Sequence, residues 1–262
     1  MARVISVANQ KGGVGKTTTV INLGVALARM KKKVLLVDMD PQGALSAGIG
    51  IDGYGLQETI YNALMDPDFA VNRVIYPVQA YLDMIPANIE LASAEMELIA
   101  EIRREFILKR VFETLVPWYD LILIDCPPSL GLLTVNALCA SSEVVIPMQC
   151  EYFAMRGIRL LLDMIERVHE RLNQSLELTG ILATMYSTGT VHAREVLSEI
   201  KTVFADRVFE EVVYKSIRFA EASVARKSIM DYDQVHKGAV AYEKVAQAIL
   251  ERVPPTDLET SG

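Results

Sequence analysis

The chain has 262 residues, of which 51% are hydrophobic, and its formal net charge is −7. This composition predicts one domain with a large core over residues 1–253, followed by a flexible acidic tail over residues 254–262. The acidic balance excludes a uniformly basic protein that coats nucleic acid, but it does not exclude a local basic patch.

Cysteine usage and hydropathy bear on the compartment. The three cysteines, Cys126, Cys139 and Cys150, have no C-x-x-C spacing, which argues against a zinc or iron–sulfur site. An odd number of cysteines in apolar surroundings is typical of reduced, buried thiols. No apolar run approaches the ~20 residues that span a bilayer, and no leader-like segment begins the chain. We therefore expect a soluble, cytoplasmic protein.

The first predicted strand and helix enclose a glycine-rich loop. Val4–Ala8 is a short apolar run typical of a buried strand, and a helix is expected over Thr17–Met30. A strand, a glycine-rich loop and a helix in this order form the context of a phosphate-binding loop. Glycines let backbone N–H groups turn towards phosphate oxygens, and the helix N-terminus adds partial positive charge. The predicted nucleotide-binding residues are Lys11, Gly12, Gly13, Val14, Gly15, Lys16, Thr17 and Thr18.

This loop carries two lysines where a phosphate site needs one. Lys16 has the spacing to reach the β- and γ-phosphates of a nucleotide, and the hydroxyl of Thr17 would bind Mg²⁺. Lys11, at the entrance of the loop, has two possible roles. It is either a solvated surface lysine or a lysine that reaches phosphates across a subunit interface.

Two aspartates follow the second predicted strand, Val34–Val37. If the extended backbone continues, Asp38 and Asp40 face the same way, towards the phosphate site. One carboxylate could then hold a magnesium-bound water while the other orients the attacking water, because phosphoryl transfer requires mainly positioning and neutralisation of charge. The alternative is that one aspartate only caps the next turn.

A third aspartate ends the apolar run Leu121–Ile124. Asp125 therefore has the position of the magnesium-site aspartate of P-loop NTPases. Pro127 and Pro128 stiffen the exit from this strand, which suits a segment that reports the presence of a γ-phosphate. Asn136, further along the chain, is more typical of a local hydrogen-bonding group.

Further apolar runs alternate with amphipathic segments, and strands are expected over Val144–Pro147 and Leu178–Leu182. Runs that are apolar at consecutive positions are buried on both faces, as in a parallel sheet between two layers of helices. The sequence thus predicts an open α/β fold whose mostly parallel, twisted sheet collects ligands at the carboxyl ends of its strands. The later helices are expected over Ala92–Leu115, Tyr152–Leu172, Val191–Phe204 and Gly238–Val253.

A basic cluster occurs late in the chain. Between positions 215 and 227, four cations face a single carboxylate, Glu221, and give the segment a net charge of +3. Doubled across a two-fold dimer, this cluster would follow DNA phosphates without reading bases, so that binding would be independent of sequence and sensitive to salt. The alternative is a set of solvated helix charges. The predicted DNA-binding residues are Lys215, Arg218, Arg226 and Lys227.

These motifs resemble those of the ParA/MinD family of dimerising P-loop ATPases, whose Walker A loop is of the deviant type. The order of the later segments is similar to that of chromosomal ParA (Soj) proteins, and the resemblance spans nearly the whole chain. The segments that carry it are Lys11–Thr18, Asp38–Gly43, Glu151–Ala154, Thr184–Tyr186 and Ser216–Ala222.

The resemblance implies an ATPase with ATP and Mg²⁺ as cofactors. It implies that Lys11 contacts the nucleotide of the partner subunit, and that Asp40 is needed for hydrolysis with Asp38 in support. The implied catalytic residues are Lys11, Lys16 and Asp40, and the implied metal-site residues are Thr17, Asp38 and Asp125.

Two features depart from the family pattern. Tyr214-Lys215-Ser216 stands where the family usually has Pro-Arg-Asn, and the family's proline and asparagine lie near the adenine ring. The adenine-contacting residues are therefore left unassigned. The chain also lacks the N-terminal DNA-binding extension of larger plasmid relatives, so specific operator binding is not expected.

The resemblance favours a nucleoid-associated ATPase that partitions a chromosome or plasmid. ATP would drive a homodimer that binds duplex DNA non-specifically, and a ParB-like partner would stimulate an otherwise weak hydrolysis and so release it. A non-partitioning positioning or regulatory scaffold would use the same ATPase cycle. A MinD-like membrane-surface ATPase needs a basic amphipathic C-terminal helix, whereas this chain ends in acidic, proline-containing sequence. Reductase iron proteins need paired cysteines, which this chain lacks. Amide-forming synthetases need a small-substrate pocket, and no residues of such a pocket can be recognised in the sequence.

Overall fold

A single sheet of eight strands lies at the centre of the structure, a computed structural model that describes residues 2–151, 154–187 and 191–252. The strands are β1 Arg3–Val7, β2 Val34–Asp38, β3 Tyr76–Gln79, β4 Leu82–Ile85, β5 Leu121–Asp125, β6 Glu143–Gln149, β7 Glu177–Tyr186 and β8 Val208–Tyr214. They lie in the order β3-β4-β2-β5-β1-β6-β7-β8, and every neighbouring pair is parallel except β3–β4. The predicted open, mostly parallel α/β fold is confirmed.

Helices cover both faces of this sheet. Those of the described residues are α1 Lys16–Arg29, α2 Ala44–Ile49, α3 Ile60–Met65, α4 Leu91–Glu97, α5 Ile107–Glu113, α6 Leu132–Ala140, α7 Ala154–Arg171, α8 Val191–Phe204, α9 Ile217–Val224, α10 Ile229–Tyr232 and α11 Lys237–Glu251. Within β2, Leu35 and Val37 pack with α3 to α8 in one core, while Val34 and Leu36 pack with α1, α10 and α11 in the other. Successive strand residues point to opposite faces, which explains why the strand sequences are apolar throughout.

Three strands were not predicted from the sequence. β3 is an antiparallel edge strand of four residues with half-buried and exposed positions in alternation, and it contains Pro77. The apolar run of β4 is interrupted by Asp83, which accepts a hydrogen bond of 2.9 Å from the hydroxyl of Tyr119. β8 contains Glu210 and Glu211. Short or mixed strands of this kind lack the continuous apolar run that identified the central strands.

The prediction of one helix over Ala92–Leu115 is wrong. The chain forms α4, two short 3-10 turns and then α5, and Arg103 between them has a left-handed backbone with φ of 57°. The side chain of Asn136, which is buried in α6, accepts a hydrogen bond of 3.1 Å from the Leu108 N–H and donates one of 2.8 Å to the Arg104 carbonyl. A contact with a distant helix thus fixes a new helix start, which amphipathic periodicity along the segment does not reveal.

Replacing Asn136 by alanine is expected to lower the free energy of unfolding by about 2–3 kcal/mol, because a buried N–H and a carbonyl lose their partner. Urea denaturation followed by circular dichroism would measure this. The matched control is Asn72→Ala, since Asn72 is exposed and its change should stay within about 0.5 kcal/mol. An unchanged urea midpoint for Asn136→Ala would contradict the capping role.

The remaining predicted helices agree with the structure apart from their ends, whereas α2, α3 and α10 were not predicted from the sequence. α8 has the predicted bounds, α7 begins at Ala154, and α11 ends at Glu251. Residues 152–153 and the predicted tail, 254–262, lie outside the described residues, so the domain boundary stays a prediction. No helix in the described part of the chain is both long and apolar enough to cross a bilayer.

Candidate functional site

The glycine-rich loop leaves the carboxyl end of β1 and enters α1. Gly13 and Gly15 have φ values of 73° and 88°, a left-handed conformation that glycine adopts without steric cost. The Thr184 hydroxyl at the end of β7 donates a hydrogen bond of 2.7 Å to the Val14 carbonyl and so holds the loop against the sheet. The loop therefore has the curl, and the following helix N-terminus, that a phosphate site requires.

Lys16, the first residue of α1, points into this loop and is only 7% exposed. Its Nζ lies 3.4 Å from the Lys11 carbonyl. Burial lowers the pKa of the ammonium, and the nearby Asp125, Cys126 and Asp40 oppose that shift. A buried cation held by one long contact is available to an anionic ligand.

Thr17 and Asp125 meet beside Lys16. The Thr17 hydroxyl donates a hydrogen bond of 2.7 Å to Asp125 Oδ2, while the buried Oδ1 has no hydrogen-bond partner in the described part of the chain. Burial raises the pKa of the Asp125 carboxyl well above its usual range, and the charge of Asp38, its register partner across β2 and β5, raises it further. This arrangement leaves a carboxylate oxygen free to accept a ligand.

β2 ends at Asp38, so the extended backbone on which the common direction of Asp38 and Asp40 depended does not continue to Asp40. Asp38 Oδ2 accepts hydrogen bonds from the Ser46 N–H at 2.9 Å and from the Ser46 hydroxyl at 2.8 Å, and Oδ1 accepts the Asp40 N–H at 3.1 Å. Burial raises the pKa of Asp38 to about 6. Asp38 thus anchors α2, and its role at a metal stays a prediction.

Asp40 is half-buried just beyond β2, and its Oδ1 accepts a hydrogen bond of 3.0 Å from the Gln42 N–H. This is the turn-capping geometry that was the alternative interpretation. Its charge also influences Lys16 and Asp125, so it lies near the centre of the site. The charge of Asp40 is therefore felt at the loop, and its role in hydrolysis stays a prediction.

The donor set fits Mg²⁺. Thr17 and Asp125 offer hard oxygen ligands, and the unpartnered Asp125 Oδ1 is an acceptor without a donor. No cluster of three or more His, Cys, Asp or Glu that could hold a metal occurs among residues 2–151, 154–187 and 191–252. Proteins usually bind Mg²⁺ through one or two carboxylates together with substrate phosphates.

Lys11 has a partner that the sequence did not suggest. Its side chain is 47% exposed, and its Nζ forms an ion pair with Glu151 Oε2 just beyond β6. Glu151 is 140 positions away, and no spacing rule connects two such residues. In the single chain Lys11 is therefore neither unpaired nor directed at its own phosphate loop.

The predicted DNA-binding residues lie at the two ends of α9. Arg218 forms an ion pair of 2.9 Å with Glu221, and the Ser216 side chain caps the helix by accepting the Arg218 N–H. A helix of eight residues is ~12 Å long, so the two groups of cations lie about that far apart along the chain surface. All four cations are exposed: Lys215, Arg218, Arg226 and Lys227.

A cavity of about 740 Å³ lies at the carboxyl ends of β7 and β8. Tyr186 and Tyr214 line it with their rings 5.8 Å apart in an edge-on contact. On another side, His236 Nε2 lies 3.1 Å from the Ser216 hydroxyl. The sequence left base contacts unassigned; these residues form a cavity of suitable size and polarity for a nucleoside.

Comparisons with known proteins agree with this geometry. The family model AAA_31, described as an AAA domain, matches residues 2–178. Soj of Bacillus subtilis, the sporulation initiation inhibitor protein, is 45% identical over 249 residues, which are 95% of this chain and 98% of that protein. The chromosome-partitioning ATPase Soj of Treponema pallidum is 46% identical over 253 residues, which are 96% of this chain and 98% of that protein.

The fold comparison finds a solved structure of similar length. Cobyrinic acid a,c-diamide synthase from Mycobacterium smegmatis, with a bound ATP analogue and magnesium, superimposes with a TM-score of 0.84 at 38% identity. The match covers 95% of each chain. The sequence comparison and the fold comparison thus agree, because each finds relatives that cover at least 95% of this chain.

Proposed function

We propose a partitioning function for this chain, which belongs to the ParA/Soj family of P-loop ATPases. The observation that carries the proposal is the hydrogen bond between the half-buried Thr17 and the buried Asp125, which leaves one carboxylate oxygen free, beside a glycine-rich loop and a buried lysine. ATP and Mg²⁺ are its cofactors, as the M. smegmatis relative holds an ATP analogue and magnesium. Mg²⁺ would neutralise charge on the phosphates and be held by Thr17 and Asp125.

The chain's own residues have separable roles in hydrolysis. Lys16 would bind the β- and γ-phosphates from inside the loop, because it is buried and its ammonium makes only the long contact with the Lys11 carbonyl among the described residues. Asp40 would orient the attacking water, since its charge lies near both Lys16 and Asp125. Asp38 would support this site by fixing α2 through Ser46.

Lys11 would act between subunits. In the single chain its ammonium is paired with Glu151 at the surface, where both side chains are about half exposed. An exposed ion pair contributes little to stability, so the lysine can exchange Glu151 for a phosphate of a second subunit at small cost. ATP would thereby favour a homodimer, and intrinsic turnover would be weak in the monomer.

The ATP-bound dimer would bind nucleoid DNA through two copies of the exposed cations at the ends of α9, which we call the α9 surface: Lys215, Arg218, Arg226 and Lys227. The four exposed cations exceed their single carboxylate, Glu221, whose oxygen pairs with Arg218. Phosphate contacts of this kind carry no sequence information. A ParB-like centromere-binding partner would then stimulate hydrolysis and release the DNA, so that a bound chromosome or plasmid is moved.

The name of the M. smegmatis relative points to a second candidate, amide synthesis. If glutamine were the amide donor, an accessible thiolate would be needed to attack it. The three cysteines of this chain are buried, and burial raises the pKa of Cys126 and Cys139 to about 12 and that of Cys150 to about 11. The thiols therefore do not favour this function.

Removing two cations from the α9 surface tests the proposal. Arg218→Ala/Lys227→Ala should weaken ATP-dependent binding to a labelled duplex of random sequence by at least about tenfold and reduce the slope of log K against log salt by roughly 3 to 4 for a dimer. Fluorescence anisotropy across a salt titration would measure both quantities. The matched control is Lys109→Ala/Arg110→Ala, which removes the same charge from exposed residues of α5. Equal loss of binding in both variants would show that only net charge matters and would contradict the α9 surface.

A further inference from the structure

A cavity rich in aromatic side chains lies at the edge of the sheet opposite to the phosphate loop. Its volume is about 460 Å³, and it is formed around the starts of the neighbouring strands β4, β2 and β5. Parallel strands begin at this edge, whereas the phosphate loop follows the carboxyl end of β1. The residues that line the cavity, which we call the aromatic cavity, are Lys33, Tyr81, Leu82, Asp83, Trp118 and Tyr119.

Two aromatic side chains of this cavity are unusually exposed. Trp118 is the only tryptophan of the chain and is 70% exposed, and Tyr81 is 49% exposed. Tyr81 also has a left-handed backbone with φ of 67° in the turn between β3 and β4, a conformation that strains residues other than glycine. Exposed aromatic rings that meet in a concave site are typical of a binding surface.

Backbone hydrogen bonds hold the three segments of the cavity together. The Val34 N–H donates to the Tyr81 carbonyl at 2.9 Å, and the Asp120 N–H donates to the Lys33 carbonyl at 2.8 Å. The Lys33 N–H in turn donates to Asp120 Oδ2 at 2.7 Å. The cavity is therefore formed before a ligand arrives, and binding requires little reorganisation.

The polar groups of the lining are mainly hydrogen-bond donors. The indole N–H of Trp118 and the ammonium of Lys33 can only donate, and the hydroxyl of Tyr81 can donate as well. The one carboxylate of the lining, Asp83, accepts the hydroxyl of Tyr119 at 2.9 Å. A matching ligand therefore presents apolar rings together with unpaired acceptors. A run of prolines in the polyproline II conformation does so, because its carbonyls are unpaired and it has no N–H groups.

We propose that the aromatic cavity binds a proline-rich segment of a protein partner. Its pyrrolidine rings would pack against Trp118 and Tyr81, and its carbonyls would accept hydrogen bonds from the Trp118 indole and the Lys33 ammonium. Carboxylates beside the prolines would pair with Lys31 and Lys33, which are exposed and take part in none of the ion pairs among residues 2–151, 154–187 and 191–252. Such a partner would attach the ATPase to another assembly without covering its phosphate loop, a role beyond the proposed function.

Charge decides between this occupant and the others. The three segments around the cavity carry three lysines and two aspartates, and Glu113, which precedes them at the end of α5, lowers this small excess further. Arg3, whose N–H donates to the Asp120 carbonyl, is paired with Glu143. Single-stranded nucleic acid and anionic lipid need a clear excess of cations. A second copy of this chain, packed by two-fold symmetry, would place Lys33 against the same lysine. The three segments are residues 31–33, 79–83 and 117–120.

The test uses the full chain and its intrinsic fluorescence. Because Trp118 is the only tryptophan, its emission reports the aromatic cavity alone. A synthetic peptide of consecutive prolines flanked by glutamates should shift this emission to shorter wavelengths, since the indole leaves water. The same peptide with glycine and serine in place of proline should not. Fluorescence anisotropy of fluorescein-labelled peptides gives the affinities.

Two variants test the rings directly. Trp118→Ala and Tyr81→Gly should each weaken binding of the proline peptide at least about tenfold in fluorescence anisotropy. Both proteins should fold, because Trp118 is exposed and glycine adopts the left-handed backbone of Tyr81 without strain. The matched control is Tyr54→Ala, which removes an aromatic side chain that is 71% exposed outside the aromatic cavity and should leave the affinity unchanged.

The inference would be overturned if the wild type did not bind the proline peptide, or bound the glycine–serine peptide equally well. Equal affinity of Trp118→Ala and the wild type, or an equal loss in Tyr54→Ala, would also contradict it. Oligothymidylate that binds the wild type but not Trp118→Ala would assign the cavity to single-stranded nucleic acid instead.

A last variant separates a partner from the chain's own prolines, Pro254 and Pro255, which lie outside the described residues. Pro254→Ala/Pro255→Ala in the full chain should bind the proline peptide as the wild type does. Binding that occurs only in this variant would show that the chain's own prolines occupy the aromatic cavity and would contradict the partner.

Discussion

Replacement of Lys16 by alanine is expected to weaken binding of MgATP by roughly 100-fold or more. Lys16 is the buried cation of the loop, and its ammonium would make charge-assisted hydrogen bonds to the β- and γ-phosphates, worth about 3 kcal/mol. Its removal also leaves the carboxylates of Asp125 and Asp40 uncompensated beside the phosphates. Isothermal titration calorimetry with a slowly hydrolysed ATP analogue would measure the loss.

The fold of the Lys16→Ala protein should persist, so loss of binding can be separated from unfolding. Burial lowers the pKa of Lys16, which means that the charged ammonium is less stable in the folded chain than in water. The melting temperature without nucleotide should therefore not fall, while the rise that ATP causes in the wild type should disappear.

Lys11→Ala provides the matched control within the same loop. Lys11 is about half exposed and paired with Glu151, so its removal should leave nucleotide affinity of the monomer within about threefold while abolishing ATP-dependent dimers. Size-exclusion chromatography with light scattering would report the dimers. Wild-type affinity for ATP in Lys16→Ala, or a large loss in Lys11→Ala, would reverse the roles assigned to the two lysines.

The central part of the site could be predicted from the sequence because local spacing determines its geometry. A short strand, a glycine-rich loop and a helix place Lys16 and Thr17 at fixed positions relative to each other. Asp125 ends a neighbouring parallel strand, and the carboxyl ends of parallel strands meet at one edge of a sheet. Thr17 and Asp125 are accordingly hydrogen-bonded at 2.7 Å.

Contacts between distant residues could not be predicted in this way. The pair Lys11–Glu151 joins positions 140 apart, and Asn136 interrupts a predicted helix from another element. Ser46 draws Asp38 towards α2, which the extended-strand argument for Asp38 did not include. These contacts depend on tertiary packing, and no periodicity along the chain carries information about it.

The residues around the cavity at the carboxyl ends of β7 and β8 illustrate a second limit of prediction from the sequence. Tyr214 and Ser216 were recognised only as departures from a family pattern, and their replacement of a proline and an asparagine left the base contacts open. In the structure Tyr214 packs edge-on against Tyr186, and Ser216 meets His236 from a third element. Tyr214 and Ser216 contact residues of β7 and of the start of α11, so the two departures from the family pattern can be interpreted only in the folded chain.

Replacement of Asp40 by alanine is expected to slow ATP hydrolysis by at least about 100-fold while leaving ATP binding intact, because a carboxylate that positions water acts on the chemical step. The variant would accumulate as the ATP dimer. In the wild type the Asp40 side chain is half-buried and accepts the hydrogen bond of the Gln42 N–H, so the fold should tolerate its removal. Phosphate release measures turnover, and Asp68→Ala, at an exposed position, is the matched control.

The same Asp40→Ala protein separates nucleotide state from DNA binding. With ATP it should bind non-specific duplex DNA persistently and lose that binding steeply as salt rises, whereas with ADP it should bind weakly or not at all. Binding in both states would mean that nucleotide does not control the DNA surface. ATP-dependent dimers that bind no DNA would contradict the nucleoid model, since the two copies of the α9 surface, with Lys215, Arg218, Arg226 and Lys227, would then be present in one dimer without acting on phosphates. ATP-dependent binding that is also lost in Arg218→Ala/Lys227→Ala would join the hydrolytic site and the α9 surface in one cycle.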